Sequence, residues 1–468
     1  MTGSRWAACG LPRHLAAQGL PLLLLLAAAP LASQAPTAIV GATLIDGTGG
    51  APVRNAVVLI RDGHIVCAGT AAVCRVPTGA SRFAARGLWI IPGLIDAHVH
   101  FSQTGWFDGR PDAIDLRRLY PYPQVEAGLE ADPERFLRAY HCAGVTSVFD
   151  VGGYPWTWAL RRRAAADPGA PRIAAAGPLL ATVDHWLNLP SQKQLIYMAN
   201  DSVVRATIQT HAAFHSDAVK IWYIMPPQPP DTARVQALVR VAAEEAQAHN
   251  LPLIVHATGL WEAKDAIRAG ARVLVHSVFE SPVDSEFLAL ALEHHVIYVP
   301  TLMVSEDYIL AARGGLDSLG YPLHCVDSIT LAHLRAGPPA ADAAYYLKPE
   351  TQRRYHDATA TGMANLKLVE AAGIPVAMGT DAGNPGTLHG PSVYREMELM
   401  QESGLTPMQV LVAATRTSAL AMGWQDSVGT LESGKVADLV ILGGDPTADI
   451  RNVAQVRWVV EGGRFWKR

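Results

Sequence analysis

Basic charge is the first thing this sequence lacks. Its 38 Lys and Arg stand against 42 Asp and Glu, for a formal net charge of −4. A chain without a cationic surplus has no general electrostatic grip on nucleic acid. No Gly-x-Gly-x-x-Gly follows its first strand-like run, which argues against a doubly wound dinucleotide fold. Internal repeats are absent, and low complexity is confined to the N-terminus. The apolar run Leu20–Ala32 is too short to span a bilayer, which takes about 20 residues. Cysteine is scarce, with five in 468 residues. What is there is a half-hydrophobic chain, long enough for a large core and more than one domain.

The N-terminus stands apart. Arg5 and Arg13 precede the apolar run, and Ala32, Ser33 and Ala35 follow at its end. A basic flank, an apolar centre and small residues read as a secretory signal peptide, with cleavage near Ser33 and export to a secreted or periplasmic location. No Cys lies at that position, so no lipid anchor is expected. Cys9 leaves with residues 1–33, and Cys67, Cys74, Cys142 and Cys325 remain. An oxidising compartment permits disulfides. Cys67 and Cys74 flank a short segment resembling a hairpin tip and could pair. Four buried thiols are the alternative, because sequence does not fix Cα geometry.

Two kinds of pattern divide the remainder. Short β-like runs separated by glycine-rich turns occupy Thr37 to about Leu88, with Asp62-Gly63 a strong hairpin signal. Ala437–Leu442 and Val456–Arg464 repeat the strand–turn–strand pattern at the other end. Neither end could bury a sheet face alone. They are expected to join as one composite β-sandwich domain (34–90 with 426–468), leaving 91–425 between them. That middle alternates eight apolar strand-like runs with helical stretches. The runs lie near Ile90–His98, Val145–Val151, Arg172–Ala176, Ala218–Trp222, Pro252–His256, Arg272–His276, Val296–Pro300 and Pro375–Asp381. The alternation predicts an α/β fold, a (β/α)8 barrel of the TIM type. Two long connections, Phe101–Asp132 and Ser305–Tyr355, have the length of lids or specificity elements.

His98-Val-His100 closes the first of these runs. Histidines at i and i+2 on an extended segment share one face, and neutral imidazole is a common ligand for zinc-like cations. Lys220, His256, His276 and Asp381 each end another strand-like run. In a barrel those ends converge on one face, where catalytic sites are built. Taken singly, each has an ordinary structural reading, such as a core histidine, a snorkelling lysine or a turn-forming aspartate. The ordered set points to a metal site.

Three motifs carry a family resemblance over nearly all the chain after the signal segment. Pro92-Gly-Leu-Ile-Asp-Ala-His-Val-His resembles the first-strand signature of the amidohydrolase superfamily of metal-dependent hydrolases. Gly379-Thr-Asp-Ala-Gly resembles its eighth-strand signature, and Gly429–Leu442 its C-terminal β return. Within it, His256-Ala-Thr-Gly, Val275-His-Ser-Val-Phe-Glu280 and His389-Gly390 resemble the imidazolonepropionase-like and Xaa-Pro dipeptidase (prolidase-like) branch. The resemblance implies two divalent cations, zinc foremost. His98, His100 and Asp381 would hold one, His256 and His276 the other, and Lys220, as N6-carboxylysine, would bridge them. It implies catalysis through a metal-bridged hydroxide, with Asp381 moving the proton. Tyr223 would face the pocket mouth and bind a substrate carboxylate. His185 would polarise the carbonyl or position the substrate, although Val183 and Asp184 replace the glycines of the family pattern. His389 would support the ligands from behind.

These readings give an enzyme acting on carbon–nitrogen bonds, with Xaa-Pro dipeptides or N-acyl amino acids as expected substrates. A cyclic amidase or lactonase of the same superfamily is the alternative, and a non-catalytic binding protein on the same fold is a third. The expected partner is a small-molecule or dipeptide substrate, without nucleic acid or a stable membrane anchor. Homo-oligomerisation is left open.

Overall fold

The computed structural model describes residues 35–225, 232–314 and 322–468. The expected signal segment, its expected cleavage point and Cys9 lie outside the described residues. Five strands open the described chain: β1 (Thr37–Leu44), β2 (Val53–Arg61), β3 (His64–Thr70), β4 (Ser81–Ala84) and β5 (Trp89–Pro92). The β2–β3 hairpin turns at Asp62 and Gly63, with φ of 50° and 78°. Two consecutive positive-φ residues are what a two-residue hairpin on a right-twisted ribbon requires, and Asp-Gly tolerates them. Just beyond β3, the structure joins Cys67 to Cys74 in a disulfide.

The barrel strands follow: β6 (Leu94–Val99), β7 (Val145–Asp150), β8 (Arg172–Ala175), a short pair β9 (Leu179–Ala181) and β10 (Leu195–Tyr197), then β11 (Val219–Trp222), β12 (Leu253–His256), β13 (Val273–Val275) and β14 (Ile297–Val299). Neighbours run parallel, β6–β7–β8 in one ladder and β9–β11–β12–β13–β14 in another. The ladders meet where Asp217 N–H donates to the Ala175 carbonyl. Residues 375–382 close the ring as the eighth element. Tyr298 and Val376 bridge on one side, and Val99 and Ala382 on the other. Expected from sequence as a full strand, 375–382 is extended chain held by isolated bridges. Its Asp381 turns left-handed, with φ of 64°, which breaks the ladder.

The chain then returns through β15 (Leu439–Leu442), β16 (Val456–Glu461) and β17 (Arg464–Lys467). These pair with the first five strands in one sheet, in the order β17-β16-β15-β5-β1-β2-β3, with β4 on β1. The sheet folds back on itself, since Phe83 of β4 packs on Trp458 and Phe465 at ring-centroid distances of 5.2 and 5.1 Å. Ile39, Val58, Ile90, Leu439 and Ile441 fill the space between. The single apolar run of the sequence from Trp89 is thus divided. β5 belongs to the terminal sheet, β6 to the barrel, and Gly93 is the hinge. A Cβ at Gly93 would come within 2.0 Å of Thr146 Oγ1, so nothing larger fits.

Helices form between the barrel strands as the alternation predicts, for example Thr232–Ala248 and Pro349–Ala371. The long connection after β14 is itself helical, with Val304–Arg313, Ser328–Ala336 and Ala340–Leu347 packed across the barrel mouth. Residues 315–321 of that connection lie outside the described residues. Among the described residues, no helix is long and apolar enough to cross a membrane.

Candidate metal centre and substrate cavity

The strand ends put the candidate ligands together by register. β11 and β12 pair Lys220 with Ile254 and Trp222 with His256. β12 and β13 pair His256 with Val275, so His276 emerges one residue above. Asp381 N–H donates to the His98 carbonyl at 2.7 Å, locking the eighth element onto the first. One cavity of about 280 Å³ is lined by His100, Lys220, His256, His276 and Asp381, and His98 packs directly beneath.

His98, His100 and Asp381 form the tightest cluster, with three ligand atoms all within 4.8 Å of one another. The two imidazole Nε2 atoms are 3.3 Å apart, and Asp381 Oδ1 is 3.3 and 3.1 Å from them. His100 Nδ1 lies 2.6 Å from the Gly152 carbonyl, an acceptor only, so Nδ1 carries the proton and Nε2 presents a lone pair to the cluster. Asp381 Oδ1 and His98 Nδ1 are buried without a hydrogen-bond partner. Leaving a buried polar atom unsatisfied costs about 1–3 kcal/mol, and a cation held by the two Nε2 atoms and Asp381 Oδ1 would relieve the carboxylate oxygen. Burial holds His98, His256 and His276 well below the ordinary imidazole pKa, with the Lys220 charge adding to the effect. Neutral rings are the ligating form. His276 Nδ1 is 2.7 Å from Thr301 Oγ1, which leaves its Nε2 for the cavity. The donor set fits divalent cations.

Lys220 is 2% exposed, and among the described residues no carboxylate lies in ion-pair distance of it. Desolvation brings its pKa down to about 7, against a small opposing pull from Asp381. A neutral amine is therefore accessible near neutral pH. Backbone strain gathers here too. His276, Thr301 and Asp381 have φ of 72°, 46° and 64°. Left-handed conformations in non-glycine residues persist where surrounding structure enforces them, often at sites of function.

Carboxylates and another imidazole brace the ligands from behind. Asp96 accepts from the N–H and hydroxyl of Thr380 at 2.9 and 2.6 Å, fixing the residue before Asp381. Burial raises the Asp96 pKa to about 7 despite those bonds. Asp150 accepts from the N–H groups of Phe101 and Gly152, flanking the carbonyl that orients His100. His389 Nε2 bonds the His100 carbonyl at 3.1 Å, and its ring stacks on Phe136 at 3.9 Å. Such outer partners orient metal ligands.

Two substrate residues read from sequence fare differently. His185 does line the cavity. Its Nδ1 accepts from Leu187 N–H at 3.2 Å, which assigns the proton to Nε2, 4.0 Å from Asp112 Oδ2. Tyr223 does not reach the cavity, and its placement at the pocket mouth is corrected here. It is 1% exposed and its hydroxyl donates to Asp265 Oδ2 at 2.8 Å, in the helix layer. The reason is the period of a strand. Lys220 and Trp222 share the inward face, so Tyr223 points outward, and Trp222 takes the cavity position.

The sequence reading missed Arg110, Asp112, Tyr308 and Asn384, all on the cavity wall. Arg110 makes two bonds to Asp112, each 2.8 Å, and a third to Asn384, which also accepts from Tyr308 OH at 2.8 Å. Burial works against the Arg110 charge, but Asp112 holds its pKa well above the usual value. Burial likewise pushes the Asp112 carboxyl up, and Arg110 overcomes it to leave the pKa below the ordinary one. The one sequence clue was the place of Arg110, Asp112 and Tyr308 in the long connections after strands one and seven, while Asn384 follows Asp381 by three residues.

The profile of the amidohydrolase family matches residues 89–463. The chain belongs to that family and is a hydrolase. It is similar to an imidazolonepropionase of Chromobacterium violaceum, 26% identical over 416 residues, covering 85% of this chain and 88% of that protein. It is also similar to an ochratoxinase of Aspergillus niger, 24% identical over 472 residues, covering 93% of this chain and 87% of that one. Among solved structures it shares its fold with a Xaa-Pro dipeptidase carrying bound methionine. There the TM-score is 0.71 and the identity 22%, over 93% of this chain and all of the other.

Proposed function

We propose that this chain is a binuclear metal-dependent amidohydrolase that works outside the cytoplasm, in a secreted or periplasmic setting. It hydrolyses the amide bond of small substrates, with Xaa-Pro dipeptides and N-acyl amino acids the expected class. The observation that carries this reading is the convergence of unpartnered nitrogen and oxygen donors, with a buried lysine, on one cavity. His98, His100 and Asp381 would hold one cation, and His256 and His276 the other. The neutral Lys220 amine would add to carbon dioxide, losing a proton, and its anionic carbamate would serve both sites. Bound there, two divalent cations, zinc foremost, supply an acidified water and a Lewis acid for the scissile carbonyl.

The chain's own residues account for the rest. Asp381 Oδ1 faces the donor cluster without a hydrogen bond, placed to take a proton from water and return it to the leaving amine. His185, on the cavity wall, would donate its Nε2–H to the substrate carbonyl. Leu179, Leu187, Trp222, Ile224 and Phe279 form an apolar wall for the acyl group. Arg110 is paired with Asp112, so a substrate carboxylate would be recognised by the N–H groups Arg110 has left, without a free positive charge.

A second reading, opening of a cyclic amide, rests on the similarity to imidazolonepropionases. Metal analysis of the mature protein, with initial rates on Xaa-Pro dipeptides, N-acyl amino acids and cyclic amides, tests both. Two metal equivalents and amide turnover are expected. A metal-free protein with no amide turnover rejects the proposal.

A further inference from the structure

A second disulfide, unanticipated from sequence, joins Cys142 to Cys325 across 183 residues. Cys142 is the last residue of the barrel helix Glu134–Cys142. Cys325 lies in the long segment after β14 that contributes Val304, Ser305, Tyr308 and Tyr355 to the substrate cavity. Further contacts run the same way. Thr330 Oγ1 donates to the Thr104 carbonyl at 2.8 Å, and His333 lies 3.3 Å from Asp108. His333 also packs on Trp106 at 4.7 Å. Arg135, on the Cys142 helix, lies 3.6 Å from Asp327, which caps the helix Ser328–Ala336. The contacts at Thr104, Trp106 and Asp108 fall in the same connection that presents Arg110 and Asp112. Two walls of the cavity thus lean on each other, and a covalent link ties the second of them to the helix that follows the first.

We propose that Cys142 and Cys325 are positioning residues for substrate binding. Their disulfide fastens the 322–355 segment to the helix Glu134–Cys142, directly after the 101–132 connection. It so sets the place of Tyr355 and, through Tyr346 stacked on Tyr308, that of Tyr308 against Asn384 and Arg110. The metal-ligand candidates sit on barrel elements outside this clamp. Releasing it therefore weakens substrate binding more than it slows chemistry. A dithiol opens the link by giving two electrons and two protons to the sulfurs, leaving two thiols and an oxidised, cyclic disulfide of the reductant. The other disulfide, Cys67–Cys74, lies on the terminal sheet, where its loss touches no cavity wall.

The proposal rests on the amide-hydrolase reading for its kinetic arm only. The experiment compares C142S/C325S with C67S/C74S. A rise in KM of about tenfold, with kcat changed less than about twofold, is expected for the first, because uniform binding is lost. Bound metal stays unchanged. Amides of 323–347 exchange about tenfold faster, the signature of local opening. The second variant should match wild type in all three. If C142S/C325S does not fold, dithiol treatment of folded C67S/C74S opens the clamp alone and should reproduce the KM and exchange changes. Unchanged KM and exchange, or equal shifts in both variants, overturns the proposal. Should wild type hydrolyse no amide, the functional reading fails, while the exchange comparison still decides the clamp.

Discussion

The terminal sheet and the barrel mouth solve burial in opposite ways. Between the folded halves of the sheet the buried side chains are aliphatic, such as Ile39, Val58 and Ile441. Its left-handed non-glycine residues, Asn55 and Asp62, are types that tolerate that conformation. At the mouth the buried groups are imidazoles, a carboxylate and a lysine amine. The left-handed residues there include a β-branched threonine, Thr301. One region is built for its own stability. The other carries polar burial and strain that are costly in the folded chain alone, and a bound cation would offset part of that cost.

That contrast can be broken most severely at the ligands. Lys220→Ala should lower kcat by about three orders of magnitude or more, the scale of removing a metal site's contribution. Bound metal should fall with it, and short carboxylic acids should restore part of the rate. Full activity with two metals in that variant would remove the bridging role. Next, Asp381→Asn should cut kcat by about 10²–10⁴, the range for loss of a general base, while much of the metal stays bound; an unchanged rate assigns the proton transfer elsewhere. In the sheet, Ile441→Ala should cost about 2–5 kcal/mol of stability, read by denaturant unfolding, with kcat and metal content untouched. A loss of metal in that variant would show that the two regions are not separable. Smallest in activity is Tyr223→Phe. Its hydroxyl bonds a carboxylate in the helix layer, so about 1.5–3 kcal/mol of stability is lost and KM stays put. A raised KM for carboxylate substrates alone would return Tyr223 to the cavity.

The alternation of apolar runs and helices made the barrel legible, because each strand of a parallel sheet is buried on both faces and reads as a continuous run. The His-x-His pair and the strand-ending Lys220, His256, His276 and Asp381 were visible for the same reason. Strand ends are where runs stop, and polar residues there stand out. Parity was the weak point. Tyr223 was placed three residues from Lys220, where strand alternation turns it away from the cavity. Arg110, Asp112, Tyr308 and Asn384 could not be found, because their meeting depends on how two long connections fold over the turn after Asp381. No local period records that. The boundary between sheet and barrel was hidden inside one apolar run, where only the clash of a Cβ with Thr146 marks Gly93.

In the terminal sheet, β5 pairs antiparallel with β15, Ile91 opposite Val440. The strand that leads straight into His98 is therefore seated against residues made only after the whole barrel. The nascent polypeptide cannot finish that sheet until the segment beyond the barrel has emerged. A chain truncated before Leu439 would leave β5 without this neighbour and the entrance to the barrel unanchored.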